Sequence, residues 1–202
     1  MKSEGTRVYR MSARAEAAAA TGDRILDEAV RLFWERPGDD VSLDEVARGA
    51  GVTRQTVIRR FSGKAGLMAA AAEREAQQVR DHRDTAPVGD VTAAVSVLVE
   101  HYERTGERVL RMLAEEARMP AVAEIAESGR RLHRAWCARV FAPALHSRTG
   151  ADRRRALAQV VAVCDVYTWK LLRLDSGLSR TQTELALVEL LTPLVTPIAE
   201  ES

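Results

Sequence analysis

The residues of this chain best suited to chemistry are a run of cations between Arg48 and Ala72. The run contains no Asp or Glu, although the whole chain has 30 basic and 29 acidic residues and a net charge of only +1. Such a local excess of positive charge indicates a patch that binds phosphate, and it argues against non-specific polyelectrolyte binding by the whole surface. The cations of the run are Arg48, Arg54, Arg59, Arg60 and Lys64.

Two short helices joined by a glycine turn are predicted to position these cations. Ser42 followed by Glu45 is the pattern of a capping box, in which a hydroxyl and a carboxylate each accept a hydrogen bond from the other residue's backbone amide. Gly51 suits the left-handed backbone of a tight turn, and Thr53 is placed to cap the next helix. The pattern predicts a helix-turn-helix; a generic αα-hairpin of a helical bundle is the alternative.

The rest of the chain indicates an all-α protein of about nine helices. Aromatic residues make up only 4% of the sequence, and no segment alternates in the manner of a β-strand. Apolar residues recur at helical spacing from Gly22 onward, and glycines are predicted to separate the later helices at Gly106, Gly150 and Gly177. One long helix is expected from Ala151 to Asp175, and the last helix from Arg180 to Glu200.

These signals divide the chain into three parts. We expect a flexible N-terminal arm over residues 1–21 and a three-helix DNA-binding domain over residues 22–68. Residues 69–202 are expected to form a larger helical domain.

The segment from Gly22 to Met68 resembles the DNA-binding domain of TetR-type transcriptional regulators. The sequence departs from the family pattern at Ile58, Arg60 and Ala65, where a Tyr, a His and an acidic residue are usual, so no phosphate contact is assigned to Ile58. The resemblance implies a dimer with a ligand cavity in its larger domain. The residues that carry it are Ile25–Ala29, Val41–Ala47, Ala50–Val52, Thr56–Val57 and Phe61–Leu67.

The start of the second motif helix is the part that reaches base edges in a major groove. Arg54 can bond guanine through two donors, Gln55 can do the same for adenine, and the Thr56 methyl can meet a thymine methyl. Phosphate contacts are expected from helix N-termini and nearby cations, although Arg48, Arg59 and Arg60 could instead be solvated surface residues. The predicted phosphate contacts are Ser42, Arg48, Thr53, Arg59, Arg60 and Lys64.

The last two predicted helices carry apolar stripes suited to packing between subunits. One helix-turn-helix specifies few bases, which favours a symmetric homodimer on a palindromic operator. The same stripes are compatible with a core inside one subunit. The residues are Val160, Val161, Cys164, Thr168, Leu171, Leu185, Val188, Leu191 and Val195.

Large apolar and amphipathic side chains in the middle helices suit the lining of a pocket for a small organic effector. Side chains of this kind more often belong to a plain core, and the pocket itself is what the resemblance implies. The residues are Tyr102, Met112, Met119, His133, Trp136, Phe141, Tyr167 and Trp169.

No cofactor, metal site or catalytic group is expected. Cys137 and Cys164 have no Cys or His at ligand spacing beside them, and no apolar segment suits a membrane span or signal peptide. Together with the helix-turn-helix and the resemblance, these expectations predict a cytoplasmic, ligand-responsive repressor that binds double-stranded DNA. The alternatives are a constitutive or architectural DNA-binding factor and a helical protein-interaction module.

Overall fold

All regular secondary structure in the described part of the chain is helical, which confirms the predicted all-α class. A computed structural model describes residues 3–35 and 40–196, with side chains from residue 15 onward. The helices are α1 (Ser3–Glu35), α2 (Leu43–Gly49), α3 (Arg54–Phe61), α4 (Lys64–Arg83), α5 (Val91–Ala114), α6 (Pro120–Val140), α7 (Ala142–His146), α8 (Gly150–Val163), α9 (Val166–Lys170) and α10 (Arg180–Val195), with a π-helical turn at Leu171–Asp175.

The chain divides into two compact units, Met1–Glu75 and Ala76–Ser202, here called the head and the body. The division falls inside α4, whereas the sequence analysis places a boundary between residues 68 and 69. A helix that continues through a domain boundary leaves no Pro- or Gly-rich linker for sequence analysis to find.

The core of the head is formed by the apolar faces of α1, α2, α3 and the first turns of α4. Ile25, Val46, Val57 and Leu67 have no solvent exposure. Burying an aliphatic side chain of this size stabilises a fold by roughly 1.5–3 kcal/mol, so these four residues account for much of the head's stability. This core fixes the relative positions of the two motif helices α2 and α3.

Helix α1 begins at Ser3, whereas the sequence analysis predicts an arm over residues 1–21 and a first helix from Gly22. Residues 15–20 are exposed and make no apolar stripe. Four consecutive alanines, Ala17–Ala20, explain a helical backbone there, because alanine has the highest helix propensity of any residue.

The body is built around α5, which packs against α6, α9 and α10. Its core includes Val95 and Leu98 from α5, Val140 from α6 and Leu187 and Leu191 from α10, each at most 1% exposed. Helix α8 packs against α6 and α10 and completes this core.

Gly106 does not end a helix, which corrects the predicted break at this position. Helix α5 continues through it to Ala114, and Gly106 is buried. A Cβ atom at this position would lie 2.5 Å from Cζ3 of Trp169. Gly106 is therefore explained by the close approach of an indole ring, which a single sequence does not reveal.

The helix predicted from Ala151 to Asp175 is interrupted. Helix α8 ends at Val163, and Asp165 then caps α9, because its Oδ1 accepts a hydrogen bond of 2.9 Å from the amide of Tyr167. An aspartate that bonds a nearby amide competes with the continuing helix, which explains the break between α8 and α9. The end of the last predicted helix, at residue 200, lies outside the described residues.

Candidate nucleic-acid interface

Helix α2 begins with the predicted capping box. The amide of Glu45 donates to Ser42 Oγ at 3.2 Å, and the amide of Ser42 donates to Glu45 Oε2 at 3.0 Å. Replacing a capping serine by alanine costs about 1 kcal/mol in general, so this pair contributes measurably to the start of the motif.

The turn between α2 and α3 has the predicted left-handed glycine, with φ of +66° at Gly51. Thr53 then caps α3, because its hydroxyl accepts from the amide of Thr56 at 3.2 Å. Val57 is fully buried and anchors α3 on the head core. The glycine turn, the cap and the buried valine together hold α3 in one orientation.

Arg54 and Gln55 lie in the first turn of α3, and both are exposed. Arg54 Nη1 is 3.8 Å from Asp44 Oδ2, and both side chains are 60% exposed. An ion pair this long and this exposed is worth little, so the guanidinium can exchange Asp44 for another partner.

Thr56, the third predicted base contact, is more constrained. Its hydroxyl lies 2.9 Å from the hydroxyl of Thr53, and the side chain is half-buried. Its methyl group is therefore the part we propose for base contact.

The predicted phosphate contacts surround this turn. Arg48, Arg59 and Arg60 are exposed, and Lys64 is half-buried at the first residue of α4. The first turn of α3 contains no acidic residue, which leaves its amides and dipole favourable to an anion.

The N-terminus of α2 is less favourable to an anion than that of α3. Asp44 and Glu45 occupy its first turn, and the Ser42 hydroxyl is already bonded to Glu45. The proposed phosphate contact at a helix N-terminus therefore rests more on Thr53 than on Ser42.

Two close backbone approaches fix the surroundings of α3. A Cβ on Gly66 would collide with the carbonyl oxygen of Phe61, so α4 starts directly against the end of α3. On α1, Gly22 leaves space for the guanidinium of Arg60. A shallow groove between α1 and α3 is lined by Ala17, Ala18, Thr21, Thr56, Arg59 and Arg60.

A sequence profile described as "Bacterial regulatory proteins, tetR family" matches residues 25–71, which include α2, α3 and the start of α4. The head therefore carries a DNA-binding domain of the TetR type.

The chain also matches part of two curated relatives. It is 39% identical over 69 residues to an uncharacterised HTH-type transcriptional regulator of Mycobacterium tuberculosis, Rv1255c, covering 34% of this chain and 33% of that protein. It is 43% identical over 60 residues to the HTH-type transcriptional regulator SrpR of Pseudomonas putida, covering 29% and 28%. The chain therefore spans about a third of the length of the relatives it matches.

Solved structures extend the likeness in fold to the body. A transcriptional regulator from Rhodococcus sp. Rha1 superposes with a TM-score of 0.64 at 20% identity, over 87% of this chain and 99% of that one. SmeT, in its complex with triclosan, superposes with a TM-score of 0.63 at 21% identity, over 91% and 98%. At these identities the likeness establishes the fold of the body and no more.

Five of the eight predicted pocket residues come together in the core of the body: Tyr102, His133, Trp136, Phe141 and Trp169. Ring centroids lie 5.8 Å apart for Tyr102 and Trp169, 6.4 Å for His133 and Trp136, and 6.2 Å for Trp136 and Phe141. These five are called the aromatic cluster.

The other three predicted pocket residues are more exposed than the aromatic cluster. Met112 and Met119 are half-buried, and Tyr167 is 53% exposed. Because Tyr167 is largely exposed, its position does not support the prediction that it lines a buried pocket.

Arg83, the last residue of α4, is a buried cation that the sequence analysis did not single out. Its Cζ lies 5.5 Å from the ring centroid of Tyr102 and 5.4 Å from that of Trp136, so it joins two members of the aromatic cluster. An arginine at the end of a helix is ordinarily a solvated residue that favours the helix dipole, so its sequence position gives no signal of burial.

Two buried thiols lie beside the aromatic cluster. Burial raises the pKa of Cys137, but hydrogen bonds from Cys164 and His133 and the charge of Arg83 outweigh it and lower that pKa to about 6. The hydrogen bond to Cys137, together with burial, raises the pKa of Cys164. Cys137 is therefore the more acidic thiol of the pair.

The predicted dimer residues fall into three groups by exposure. Val160, Cys164 and Leu191 are at most 1% exposed and pack inside the body, so they offer a partner subunit almost no surface. Leu171 and Leu185 are 58% and 57% exposed. The half-buried ones are Val161, Thr168, Val188 and Val195.

The described residues contain neither a metal-binding cluster nor a membrane-spanning helix. No group of three or more His, Cys, Asp and Glu side chains there is arranged to hold a metal ion. None of the helices in residues 3–35 and 40–196 combines the length and the apolar character needed to cross a membrane.

Proposed function

We propose that this protein is a sequence-specific transcriptional regulator whose helix α3 enters the major groove of DNA. The observation that carries the proposal is the exposure of Arg54 and Gln55 on the first turn of a firmly capped helix. That turn lies in an acid-free stretch of the chain, within a TetR-type head. Phosphate contacts from the surrounding cations would fix the register of α3, and the two side chains would select the sequence.

The regulator is proposed to act as a homodimer on a palindromic operator. Leu171 and Leu185 support this part, since large exposed leucines on elements that pack against each other favour a buried interface. A dimer places two copies of α3 on half-sites about one helical turn of DNA apart, or a multiple of that spacing.

We further propose that the regulator is a repressor and that it responds to a small organic effector. The aromatic cluster supports it, because ligand sites are lined mainly by apolar and aromatic groups with a few polar atoms. The fold can accommodate such a ligand, since the SmeT structure is a triclosan complex. NalD, another solved structure of this fold with a TM-score of 0.56, is described as a secondary repressor of a multidrug efflux pump in Pseudomonas aeruginosa.

The proposal is tested by selecting operators from random duplex DNA with the purified full chain and measuring the affinity at several salt concentrations. We expect a palindromic consensus, binding that persists with excess competitor DNA, and an affinity that falls steeply with salt. Selection of no consensus would contradict sequence-specific regulation and favour the architectural factor. Absence of DNA binding at low salt would favour a protein-interaction module.

A further inference from the structure

We infer that the effector of this protein is an organic acid whose carboxylate is bound by Arg83 inside the body. The inference rests on the proposed function, because it names the chemical class of the proposed effector. It is drawn from the hydrogen-bond partners of the Arg83 guanidinium.

Arg83 is a buried charge without a counter-ion among the described residues. It is only 6% exposed, and it forms no salt bridge with any residue of that part of the chain. The adjacent Asp84 pairs instead with Arg139, at 3.0 Å. Arginine is almost never buried to this extent unless it is paired, because removing a charge from water is costly.

The groups that contact Arg83 are neutral. His133 Nε2 lies 3.1 Å from the carbonyl of Val161 and donates to it, so Nδ1 carries the lone pair that accepts from Arg83 Nη1 at 3.0 Å. The hydroxyl of Tyr102 donates to the carbonyl of Cys164 at 3.0 Å and accepts from Arg83 Nη2 at 3.3 Å. Neither contact neutralises the guanidinium.

One edge of the guanidinium is poorly satisfied. Nε is buried and has no hydrogen-bond partner in the described structure, and Nη2 has only the long bond to Tyr102. The N–H bonds of Nε and Nη2 point in nearly the same direction, at a spacing that matches the two oxygens of a carboxylate. A carboxylate bound there would satisfy Nε and neutralise the buried charge.

Cys137 is one internal group that could supply the missing negative charge instead. Its lowered pKa favours the thiolate, and its Sγ lies 3.8 Å from Nε2 of His133. Arg83, however, contacts the other nitrogen of that imidazole, Nδ1, so the ring links the two groups and no direct pair forms. A Cys137→Ala variant therefore tests whether the counter-ion of Arg83 is the Cys137 thiolate or a bound carboxylate.

The surroundings also restrict the rest of the ligand. Trp136 and Tyr102 flank the guanidinium, and Trp169 and Phe141 extend the apolar surface beyond them. An aromatic carboxylate would place its charged end on Arg83 and its ring among these side chains. This combination identifies aromatic acids as better ligands than short aliphatic acids.

The test uses matched pairs of acid and amide with the purified full chain: acetate and acetamide, benzoate and benzamide, 1-naphthoate and 1-naphthamide. Binding is measured by calorimetry without DNA, so the result is independent of operator recognition. We expect the aromatic acids to bind and to raise the Tm, and their amides to bind at least about tenfold more weakly, since a hydrogen bond to a charged group is lost.

Two Arg83 variants and one cysteine variant complete the test. Arg83→Met should abolish acid binding while raising the Tm of the unliganded protein, because a buried unpaired charge is removed. Arg83→Lys keeps the charge but loses the paired donors, so it should bind acids at least about tenfold more weakly. Cys137→Ala should bind them as the wild type does.

Several results would overturn the inference. Equal binding of an acid and its amide would do so, as would unchanged acid binding in Arg83→Lys or acid binding that is much tighter in Cys137→Ala than in the wild type. Binding of no acid at millimolar concentration would also contradict it. A fall in the Tm of unliganded Arg83→Met would contradict it too, because it would show that Arg83 serves only to stabilise the core. Operator binding by the unliganded wild type, measured in parallel, shows whether the proposed function fails separately.

Discussion

At the scale of single residues, base selection is assigned to two exposed side chains and positioning to the cations around them. Arg54 and Gln55 could be located from sequence, because a cap at Thr53 fixes where α3 begins. Arg83 could not, because its burial results from packing against α5 and α6, which follow it in the chain. Local patterns predict contacts made by neighbouring residues, and they carry no information on contacts formed by folding.

Gln55→Ala and Lys64→Ala should affect DNA binding differently. Loss of a bidentate base contact at Gln55 should cost about 1–3 kcal/mol at one base pair of each half-site and leave other positions unchanged. Lys64→Ala should weaken binding to all sites similarly and reduce the salt dependence. The measurement is affinity across a panel of single-base operator variants, with the exposed Gln78→Ala on α4 as a control. Identical profiles for the two variants would refute the division of roles.

His101 should make stability depend on pH. Burial, followed by the charge of Arg83, lowers the pKa of His101 from 6.5 to about 2 in the folded protein. Between these values the unfolded chain binds a proton that the folded chain does not, so stability falls as the pH falls below 6.5, by about 1.4 kcal/mol per pH unit. In urea unfolding between pH 7.5 and pH 5.5, His101→Gln should lose less stability than the wild type. Parallel pH profiles for the two proteins would contradict this account.

At the scale of the elements, the starts of helices could be predicted because caps are local. The capping box of α2 and the cap of α3 involve residues three apart, and both are present. Gly106 was wrongly predicted to break a helix, because its role depends on Trp169, which is distant in the chain. The same residue type therefore marks a turn at Gly51 and a packing contact at Gly106.

Gly106→Ala and Gly129→Ala should change stability in opposite directions. Both are glycines inside helices, where alanine is favoured by about 1 kcal/mol. A methyl group at Gly106 would collide with Trp169, whereas a Cβ on Gly129 meets no atom within 4 Å. Overpacking typically costs about 1–3 kcal/mol, so Gly106→Ala should be destabilising, whereas Gly129→Ala should be stabilising. Urea unfolding gives both values, and stabilisation by both substitutions would show that Trp169 does not require Gly106.

At the scale of the whole molecule, assembly depends on the exposed apolar surface of the body. The sequence could predict apolar stripes on the last helices, because their spacing is regular. It could not separate the face used for the core from the face left exposed, because that division depends on how α10 packs against α5. The structure places Leu191 in the core and leaves Leu185 exposed, and that contrast makes the dimer proposal testable.

Leu171→Glu and Leu185→Glu should convert the proposed dimer into monomers. A buried unpaired carboxylate at an interface is strongly unfavourable, and loss of the dimer should weaken binding to a palindromic operator. Sedimentation and operator affinity measure the two effects. Val88→Glu is the matched control, since Val88 is 53% exposed but lies in the segment before α5. A dimer that persists in both variants would place the interface elsewhere.

The most direct test of the central claim is protection of guanine N7 from dimethyl sulfate on the selected operator, compared between the wild type and Arg54→Ala. N7 lies in the major groove, where Arg54 would bond it together with O6. The account predicts that the wild type protects a guanine in each half-site, and that Arg54→Ala, at a concentration that saturates the operator, leaves that guanine reactive. Equal reactivity of every guanine with and without the bound wild-type protein would contradict the insertion of α3 into the major groove.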